Sequence, residues 1–312
     1  MILPFNNLNI SSSDLVLEVG SGHRPTYRAD VLCDKYLTNE ERGGDLVKDR
    51  PIFAADCHSL PFVDKAFDYI ICNQVLEHVH DPLKCCSELS RIGRRGYIET
   101  PSMIWEMLHP SRKYHRWFVL LVKGTLVFYS KEKAGDSSLL GNLFDIMYSN
   151  SLEYHLFFRA FDELFTVRHE WHDHIDCVVD PTDDELGTLC SKPWGPKEYS
   201  IFCKTRTLPE QVCALTTNVC WTTLLFLLYK PRELLGRVLR YYRNRRLRLD
   251  LANLLACPQC LGSMIISSSH MKCVKCGAAY EYRDGIPCLI PEAFCAEDKA
   301  LHLTASPPLG LL

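Results

Sequence analysis

The sequence lacks three features, and each absence excludes a class of function. It has no surplus of positive charge, because 35 lysines and arginines face 38 acids and the net charge is −3, so the overall charge does not favour nucleic acid as a partner. Residues 1–13 lack a basic segment followed by an apolar core, which argues against a secretory signal peptide. Pro25 stands where the dinucleotide-binding pattern G-x-G-x-x-G requires its third glycine. What remains is the composition of a soluble globular protein.

Cysteine, by contrast, is abundant, with sixteen residues in a chain of 312. Most are isolated in apolar runs, such as Cys33, Cys72 and Cys203, where a free thiol packs as a small apolar side chain. A secreted disulfide scaffold would be shorter, whereas this length accommodates one large domain and a small one. We therefore expect a protein of the reducing cytoplasm.

The first half of the chain alternates between strand and helix patterns, which predicts an α/β fold. Its architecture is expected to be a Rossmann-like, mostly parallel sheet with helices on both faces. A helix begins at Asp81, an N-cap followed by proline, and stops at Gly93. Strands are predicted over residues 15–19, 29–34, 52–56, 67–73, 96–100, 165–171 and 198–204, the last completing the sheet near residue 206. Residues 102–150 interrupt the rhythm with a hairpin that turns at Lys123-Gly124, and we expect this insertion to form a lid.

The first strand ends in Gly20-Ser21-Gly22, a turn that lets a ligand approach the backbone. Asp34 closes the second predicted strand, and a carboxylate there can accept two hydrogen bonds from a ribose diol. Since Pro25 argues against a dinucleotide, the pattern fits a cofactor with one nucleoside and no pyrophosphate, such as S-adenosylmethionine.

The ordered set of motifs in residues 14–206 resembles the class I S-adenosylmethionine-dependent methyltransferases of the type-11 (ubiquinone/menaquinone methyltransferase-like) group. The stretches that carry this resemblance are residues 16–22, Asp34, Asp56-Cys57-His58-Ser59-Leu60-Pro61-Phe62 and residues 67–79. The resemblance implies cofactor contacts: Glu18, Gly20 and Gly22 along the methionine and ribose, Asp34 on the ribose hydroxyls, Asp56 and Cys57 at the adenine, and Asn73 beside the methionine. The first helix of that fold must be short here, between Gly22 and Asp34.

Three histidines are candidate catalytic bases. A sulfonium methyl group is already activated, so a base is needed only when the acceptor must lose a proton. His78 follows the fourth strand, and His109 and His115 lie in the insertion. Each also has a structural alternative, an orienting role in its loop for His78 and a surface loop for the other two.

Two C-x₂-C pairs, separated by twelve residues, predict a closed tetrahedral zinc site of structural type. Its ligands are Cys257, Cys260, Cys273 and Cys276. The surrounding residues 250–292 resemble the small zinc-ribbon proteins that partner and activate methyltransferases acting on tRNA, rRNA and release factors. The resemblance implies that such a partner is fused here in cis, in place of a separate activator subunit.

A linker over residues 207–249 joins the two units, and residues 293–312 are expected to form a loose tail. Residues 211–229 carry no charge, and residues 230–248 have a local net charge of +7. The sequence allows residues 211–229 to form a helix that packs on the fold or one that lies on an anionic membrane surface. A membrane-spanning helix is disfavoured, because it would place the cofactor site and the zinc site, both expected in the cytoplasm, on opposite sides of the membrane. The basic run also allows contact with RNA phosphates, which we do not favour.

These patterns together predict a cytoplasmic S-adenosylmethionine-dependent methyltransferase with a structural zinc, or one peripheral at the membrane. The acceptor is expected to be a small molecule, lipid or glycan. RNA or protein methylation aided by the zinc ribbon is one alternative, and a non-catalytic scaffold is another.

Overall fold

The computed structural model gives a mixed α/β molecule. It describes residues 8–38, 44–110, 114–134, 143–182, 185–202, 206–227, 238 and 250–291. The strands are β1 (Val16–Val19), β2 (Val31–Asp34), β3 (Ile52–Ala54), β4 (Tyr69–Asn73), β5 (Arg95–Pro101), β6 (Trp117–Val122), β7 (Thr125–Ser130), β8 (Thr166–His172), β9 (Cys177–Val179), β10 (Met264–Ile266), β11 (His270–Cys273), β12 (Ala279–Arg283) and β13 (Ile286–Pro287). The helices are α1 (Pro82–Ile92), α2 (Met103–Leu108), α3 (Lys131–Ala134), α4 (Leu143–Asn150), α5 (Leu152–Ala160), α6 (Asp162–Phe165), α7 (Pro196–Phe202), α8 (Leu208–Leu227) and α9 (Leu251–Leu254).

The central sheet has six strands in the order β3-β2-β1-β4-β5-β8. The first five run parallel, and β8 closes one edge antiparallel to β5. Because β1 lies between β2 and β4, the chain changes its direction across the sheet at β1. Open α/β sheets bind ligands at the carboxyl ends of the strands beside such a switch point. The predicted Rossmann-like, mostly parallel sheet is confirmed.

Helix α1 covers one face of this sheet. The Asp81 side chain caps it by accepting a hydrogen bond from the Lys84 N–H at 3.0 Å, and Pro82 takes the first helical position. The helix ends at Gly93, as predicted. Its buried apolar side chains join the main core: Cys85, Cys86, Leu89 and Ile92.

The opposite face differs from the predicted double layer of helices. Among the described residues, its core consists of strand and loop side chains, with Leu8 and Ile10 from the N-terminal segment and Ile286 and Cys288 from the C-terminal unit. No helix is described between β1 and β2. That connection is built from turns, since Gly22 has a φ of +53° and Pro25, three residues later, cannot donate a backbone hydrogen bond.

The predicted hairpin of the insertion is present as β6 and β7, with its turn at Lys123-Gly124. Strand β9 adds parallel to β7, which gives a separate three-stranded sheet that the sequence did not reveal. Side chains of this hairpin, including Val119, Leu126 and Phe128, are part of the core that α1 also joins. The hairpin therefore packs against the domain, and its role as a lid stays a prediction.

The strand predicted over residues 198–204 is wrong. Residues 196–202 form α7, which begins at Pro196. The Glu198 carboxylate accepts a hydrogen bond from the Gly195 N–H at 2.7 Å, which stabilises the first turn of the helix. Within the described part of the chain, the sheet therefore ends at β8, one strand earlier than predicted.

The C-terminal unit, residues 250–291, forms a four-stranded sheet in the order β10-β11-β12-β13. It packs along the edge strand β3, where Ala54 pairs in parallel with Cys288 and the Leu289 N–H donates to the Ala54 carbonyl at 2.7 Å. A second contact joins the Ala256 N–H to the Pro61 carbonyl at 3.0 Å. The exposed edge of the parallel sheet is therefore covered by the C-terminal unit.

Helix α8 contains most of the uncharged segment, and the basic run after it lies outside the described residues except for Val238. Its Asn218 side chain donates to the Arg159 carbonyl at 3.3 Å, so one side of α8 lies against α5. Among the helices that the structure describes, none is long and apolar enough to cross a membrane.

Candidate active site

The turn after β1 is held in a conformation that needs glycine. Gly20 has a φ of +73°, and a Cβ atom built on it would lie 2.2 Å from Val75 Cγ2. The N–H groups of Gly20 and Ser21 both donate to the Cys33 carbonyl, at 2.8 and 3.1 Å. The turn is thereby fixed against the end of β2 at the switch point of the sheet.

Asp34 ends β2 and joins this turn to the next loop. Its Oδ2 accepts from the Gly22 N–H at 2.7 Å, and its Oδ1 accepts from the Tyr36 N–H at 3.0 Å. The residue is buried. The Asp34 carboxylate thus joins the glycine turn to the loop after β2 at the carboxyl edge of the sheet.

Glu18 organises the loop that follows the turn. It is buried, and its carboxylate accepts from the Thr26 N–H at 2.7 Å and from the Thr26 hydroxyl at 3.3 Å. Glu18 thus fixes the path of the chain from Gly22 towards β2, and its carboxylate already has partners inside the protein.

Asp56, just beyond β3, is the centre of a buried ionic cluster. Lys35 Nζ lies 2.7 Å from its Oδ2, and the His58 ring Nδ1 and backbone N–H lie 2.5 and 2.9 Å from its Oδ1. The other ring nitrogen of His58 accepts from the Asp81 N–H at 3.1 Å, which links the cluster to the start of α1. Burial alone would raise the pKa of Asp56, but the hydrogen bond from His58 and the charge of Lys35 outweigh it and lower the pKa to about 2.

We expect Asp56→Asn to lower the free energy of unfolding by about 2 kcal/mol at pH 7, because a carboxyl pKa lowered from 3.8 to about 2 stabilises the folded state where the group is ionised. The stabilisation is present above the unfolded-state pKa near 4 and is lost as the pH falls through 2. Urea unfolding of both proteins from pH 7 to pH 2 measures the difference. A difference that stays constant over this range would contradict the prediction.

The loop after Asp56 is clamped from two sides. Cys57 Sγ lies 2.8 Å from Cys85 Sγ, so the Cys57 side chain packs on α1. The Leu60 N–H donates to the Glu88 carboxylate at 2.9 Å, also on α1. From the other side, the Ser59 hydroxyl donates to the Pro258 carbonyl of the C-terminal unit. The backbone of residues 56–60 is therefore held rigidly beside the ends of β2 and β3.

Two buried polar atoms beside the turn have no hydrogen-bond partner among the described residues. They are Ser21 Oγ, at the end of β1, and Asn73 Oδ1, at the end of the neighbouring strand β4. A buried polar atom without a partner costs about 1–3 kcal/mol. Their position at the switch point fits a polar ligand that would supply the missing bonds.

A second polar cluster lies where the start of β6 meets the loop after β4. His115 is buried, and its Nδ1 lies 2.6 Å from Glu106 Oε1 on α2. Lys131 Nζ lies 2.5 Å from the other oxygen of Glu106. Burial alone would raise the pKa of Glu106, but the hydrogen bond and charge of His115, together with Lys131, lower it.

His78 lies on the open side of the same cluster. Its ring stacks on Tyr114 at 5.6 Å between centroids, meets His115 edge-on at 4.5 Å, and its Nε2 is 3.7 Å from Glu77 Oε1. The structure therefore brings together two of the three candidate bases, His78 and His115.

His109 is placed elsewhere, in an aromatic cluster. It is completely buried and stacks on Trp105 at 3.5 Å. Its Nδ1 lies 2.9 Å from the Trp105 carbonyl, and its Nε2 lies 3.4 Å from the Tyr154 hydroxyl. The surface-loop alternative for His109 and His115 is wrong, because both lie in the interior.

The four predicted metal ligands converge in the C-terminal unit, with their sulfur atoms within 4.8 Å of one another: Cys257, Cys260, Cys273 and Cys276. The closest pairs are 3.5 and 3.6 Å apart, close to the separation that a tetrahedral ion with metal–sulfur bonds of about 2.3 Å requires. Cys273 Sγ accepts backbone hydrogen bonds at 3.3 and 3.4 Å, which favour its thiolate form. The donor set fits zinc.

Gly262 explains how the chain approaches these sulfur atoms. A Cβ atom at this position would lie 2.6 Å from Lys275 Cβ and 3.1 Å from Cys273 Sγ. Only glycine leaves enough space for the two C-x₂-C segments to come close enough to share one metal ion.

Residues 33–98 match the family model described as a methyltransferase domain. The matched region contains Asp34, Asp56, Asn73 and α1, and so includes the carboxyl ends of β2, β3 and β4. Together with the sheet topology, the match supports a class I S-adenosylmethionine-dependent methyltransferase domain. Among curated proteins no match is found.

Several solved structures are similar to part of this chain. One is the complex of the Trm112 methyltransferase activator of Haloferax volcanii with a putative methyltransferase, which is 19% identical in sequence. The match covers 30% of this chain and 46% of that chain, with a TM-score of 0.24. The YcgJ protein of Bacillus subtilis has 19% identity, coverages of 35% and 57%, and a TM-score of 0.27. An S-adenosylmethionine-dependent methyltransferase of Mesorhizobium loti has 14% identity, coverages of 37% and 56%, and a TM-score of 0.23. The chain thus spans about half the length of these structures.

Sequence reasoning missed several residues of these sites. Lys35 and Ser21 lie next to predicted residues, and their proximity was the available signal. Glu106 and Lys131 come close to His115 through the tertiary packing of α2 and α3, so no local sequence pattern predicts their positions.

Proposed function

We propose that this chain is an S-adenosylmethionine-dependent methyltransferase whose acceptor is a small molecule, lipid or glycan. The observation that carries the proposal is the hydrogen bond between Asp34 and the Gly22 N–H, which joins the glycine turn to the end of β2 at the switch point. A carboxylate held there is suited to the two hydroxyl groups of a ribose, because both of its oxygens are hydrogen-bond acceptors.

The residues around the turn define the proposed donor site. Asp34 would bind the ribose hydroxyls, Ser21 and Asn73 would bind polar groups of the methionine part through their unpartnered buried oxygens, and the backbone at Cys57 would line the adenine. When bound, the cofactor supplies a methyl group on a sulfonium. The chain fixes the donor against a rigid sheet edge, so that an acceptor needs only the correct alignment.

The C-terminal unit is proposed to be a zinc ribbon of structural type. Four thiolates would complete a tetrahedral ion and leave no open position for a substrate. Since this unit contacts Pro61 and Ser59, it would also stabilise the loop that lines the adenine. This is how a zinc ribbon fused in cis could replace a separate activator subunit.

Calorimetric titration with S-adenosylmethionine and methyl-label transfer into fractionated cell extract test the proposal in two steps. We expect the full chain to bind the cofactor and the label to enter the lipid or small-molecule fraction. Absence of binding would overturn the enzyme assignment and favour a scaffold. Binding with label in RNA or protein would favour the alternative acceptor, which the position of the C-terminal unit beside the donor loop supports.

The outer side of α8 supports a lipid surface as the place of action. Leu208, Val212, Leu215 and Val219 are exposed and recur at helical spacing, which forms one apolar stripe. The segment that follows carries a local net charge of +7. An apolar helix face next to a basic run is typical of a helix on an anionic membrane surface.

We expect the double variant Val212→Glu and Leu215→Glu to reduce co-sedimentation with phosphatidylglycerol vesicles about tenfold, because two apolar side chains would be replaced by charges that anionic lipid repels. Thr217→Glu adds one of those charges on the opposite side of the helix and is expected to have a much smaller effect. Equal loss in both proteins, or no binding by the original chain, would argue against the membrane surface.

A further inference from the structure

The polar cluster around His115 contains three groups that commonly ligate metal ions. Glu77 and His78 follow β4, and His115 precedes β6. Two hydrogen bonds bring these segments together: the Arg116 N–H donates to the Glu77 carbonyl at 2.7 Å, and the Trp117 indole donates to the Val79 carbonyl at 2.7 Å. The three side chains are therefore held by backbone contacts, independently of any bond among themselves.

Their potential ligand atoms are close together. One atom from each of Glu77, His78 and His115 lies within 4.8 Å of the other two. Glu77 is completely buried, His115 is 4% exposed, and the His78 side chain is 38% exposed. A buried carboxylate is costly unless positive charge lies beside it, and a bound metal ion would provide that charge while the two imidazoles bind it in their neutral form.

The outer contacts have the form found around metal-bound histidine. A ligating histidine usually donates its other ring N–H to a carboxylate, which fixes the tautomer and the ring orientation. His115 has such a contact through Nδ1, which lies 2.6 Å from Glu106 Oε1, and Lys131 holds Glu106 in turn. The His78 ring is held by stacking on Tyr114, with 9° between the planes.

We propose that Glu77, His78 and His115 bind one divalent transition-metal ion. Two imidazoles and one carboxylate are a donor set that suits manganese, iron or zinc and leaves further positions open. Those positions lie on the half-exposed side of His78, where water or an acceptor oxygen can reach the ion. The site shares no ligand with the four-cysteine cluster, and binding of the ion does not depend on the proposed methyl transfer.

Manganese is the probe, because thiolates favour softer ions than Mn²⁺ and the four-cysteine cluster should ignore it. The full chain is loaded with a single equivalent of Zn²⁺, which the four thiolates take in preference, and is then titrated with Mn²⁺. Paramagnetic resonance of the free ion is expected to give one bound equivalent of Mn²⁺. His78→Asn and Glu106→Gln should each weaken binding about 10- to 100-fold, the first by removing a ligand and the second by releasing the orientation of His115. His80→Asn, an exposed histidine two positions away, should bind as the original chain does.

His78 is half-exposed, so its variant should fold, and an unchanged thermal melting curve without Mn²⁺ confirms this. No binding by the original chain, or equal binding by His78→Asn, would overturn the proposal and leave a hydrogen-bonded polar cluster. The result is separable from the proposed function, since S-adenosylmethionine binding by calorimetry is measured on the same samples.

Discussion

Cys273→Ser is expected to lower the affinity for zinc about 100-fold and to unfold the C-terminal unit. Structural zinc binding is worth about 10–16 kcal/mol over four ligands, so the loss of one should cost about 3 kcal/mol. A unit of about 40 residues cannot bury enough apolar surface to fold stably without a cross-link such as a disulfide or a structural metal ion. Chelator competition measures the affinity, and amide hydrogen exchange of residues 250–291 measures the unfolding.

The matched control is Cys213→Ser, which removes an exposed thiol on α8 outside the cluster. Its zinc affinity and exchange protection should equal those of the original chain. The exchange of the Leu289 amide is especially informative, because it donates to the Ala54 carbonyl and reports whether the unit has left β3. Tight zinc binding by Cys273→Ser would show that this sulfur is not a ligand.

Asp34→Asn is expected to weaken S-adenosylmethionine binding about 10- to 100-fold. Hydrogen bonds to a charged group contribute about 1.5–3 kcal/mol each, and the substitution removes the charge. Asparagine has one acceptor oxygen in place of two, so it can no longer accept from both the Gly22 and the Tyr36 N–H groups. The substitution should therefore weaken the hydrogen bonds to the ribose and alter the conformation of the glycine turn.

Calorimetry with S-adenosylmethionine checks this result, and Asp64→Asn is the control. Asp64 has a side chain that is 72% exposed and pairs with Arg91, so its loss removes the same charge away from the turn. Thermal melting without cofactor separates weaker binding from a general loss of stability. Unchanged affinity in Asp34→Asn would remove the residue that carries the proposed function.

The strands of the parallel sheet could be predicted because they are short, mostly apolar runs, and two of them end in a polar residue. β2 ends at Asp34 and β4 at Asn73, and both side chains lie at the carboxyl edge where the fold places ligands. The bounds of helix α1 could likewise be predicted from Asp81 and Gly93, since capping depends only on residues near the ends of a helix. Signals of this kind are local and therefore visible in a sequence.

The features that the sequence did not predict depend on contacts between residues that are far apart in the chain. Strand β9 exists because Cys177–Val179 pairs with β7, and nothing in those three residues requires a strand. The opposite face of the sheet is covered by Leu8 and Ile286 from two far ends of the chain, which the β-α-β rhythm could not indicate. The cluster of Glu77, His78 and His115 likewise arises from tertiary hydrogen bonds, so the sequence offered His78 and His115 as separate candidates.

The pairing of Ala54 with Cys288 has a consequence for the order of events during synthesis. Translation proceeds at about 5–20 residues per second, so roughly 10–50 s separate the appearance of β3 from that of its covering partner. Throughout that interval the nascent sheet presents an open parallel edge, which is a template for pairing with other chains. A fragment that ends before residue 250 would lack this cover, and we expect it to aggregate more readily than the full chain.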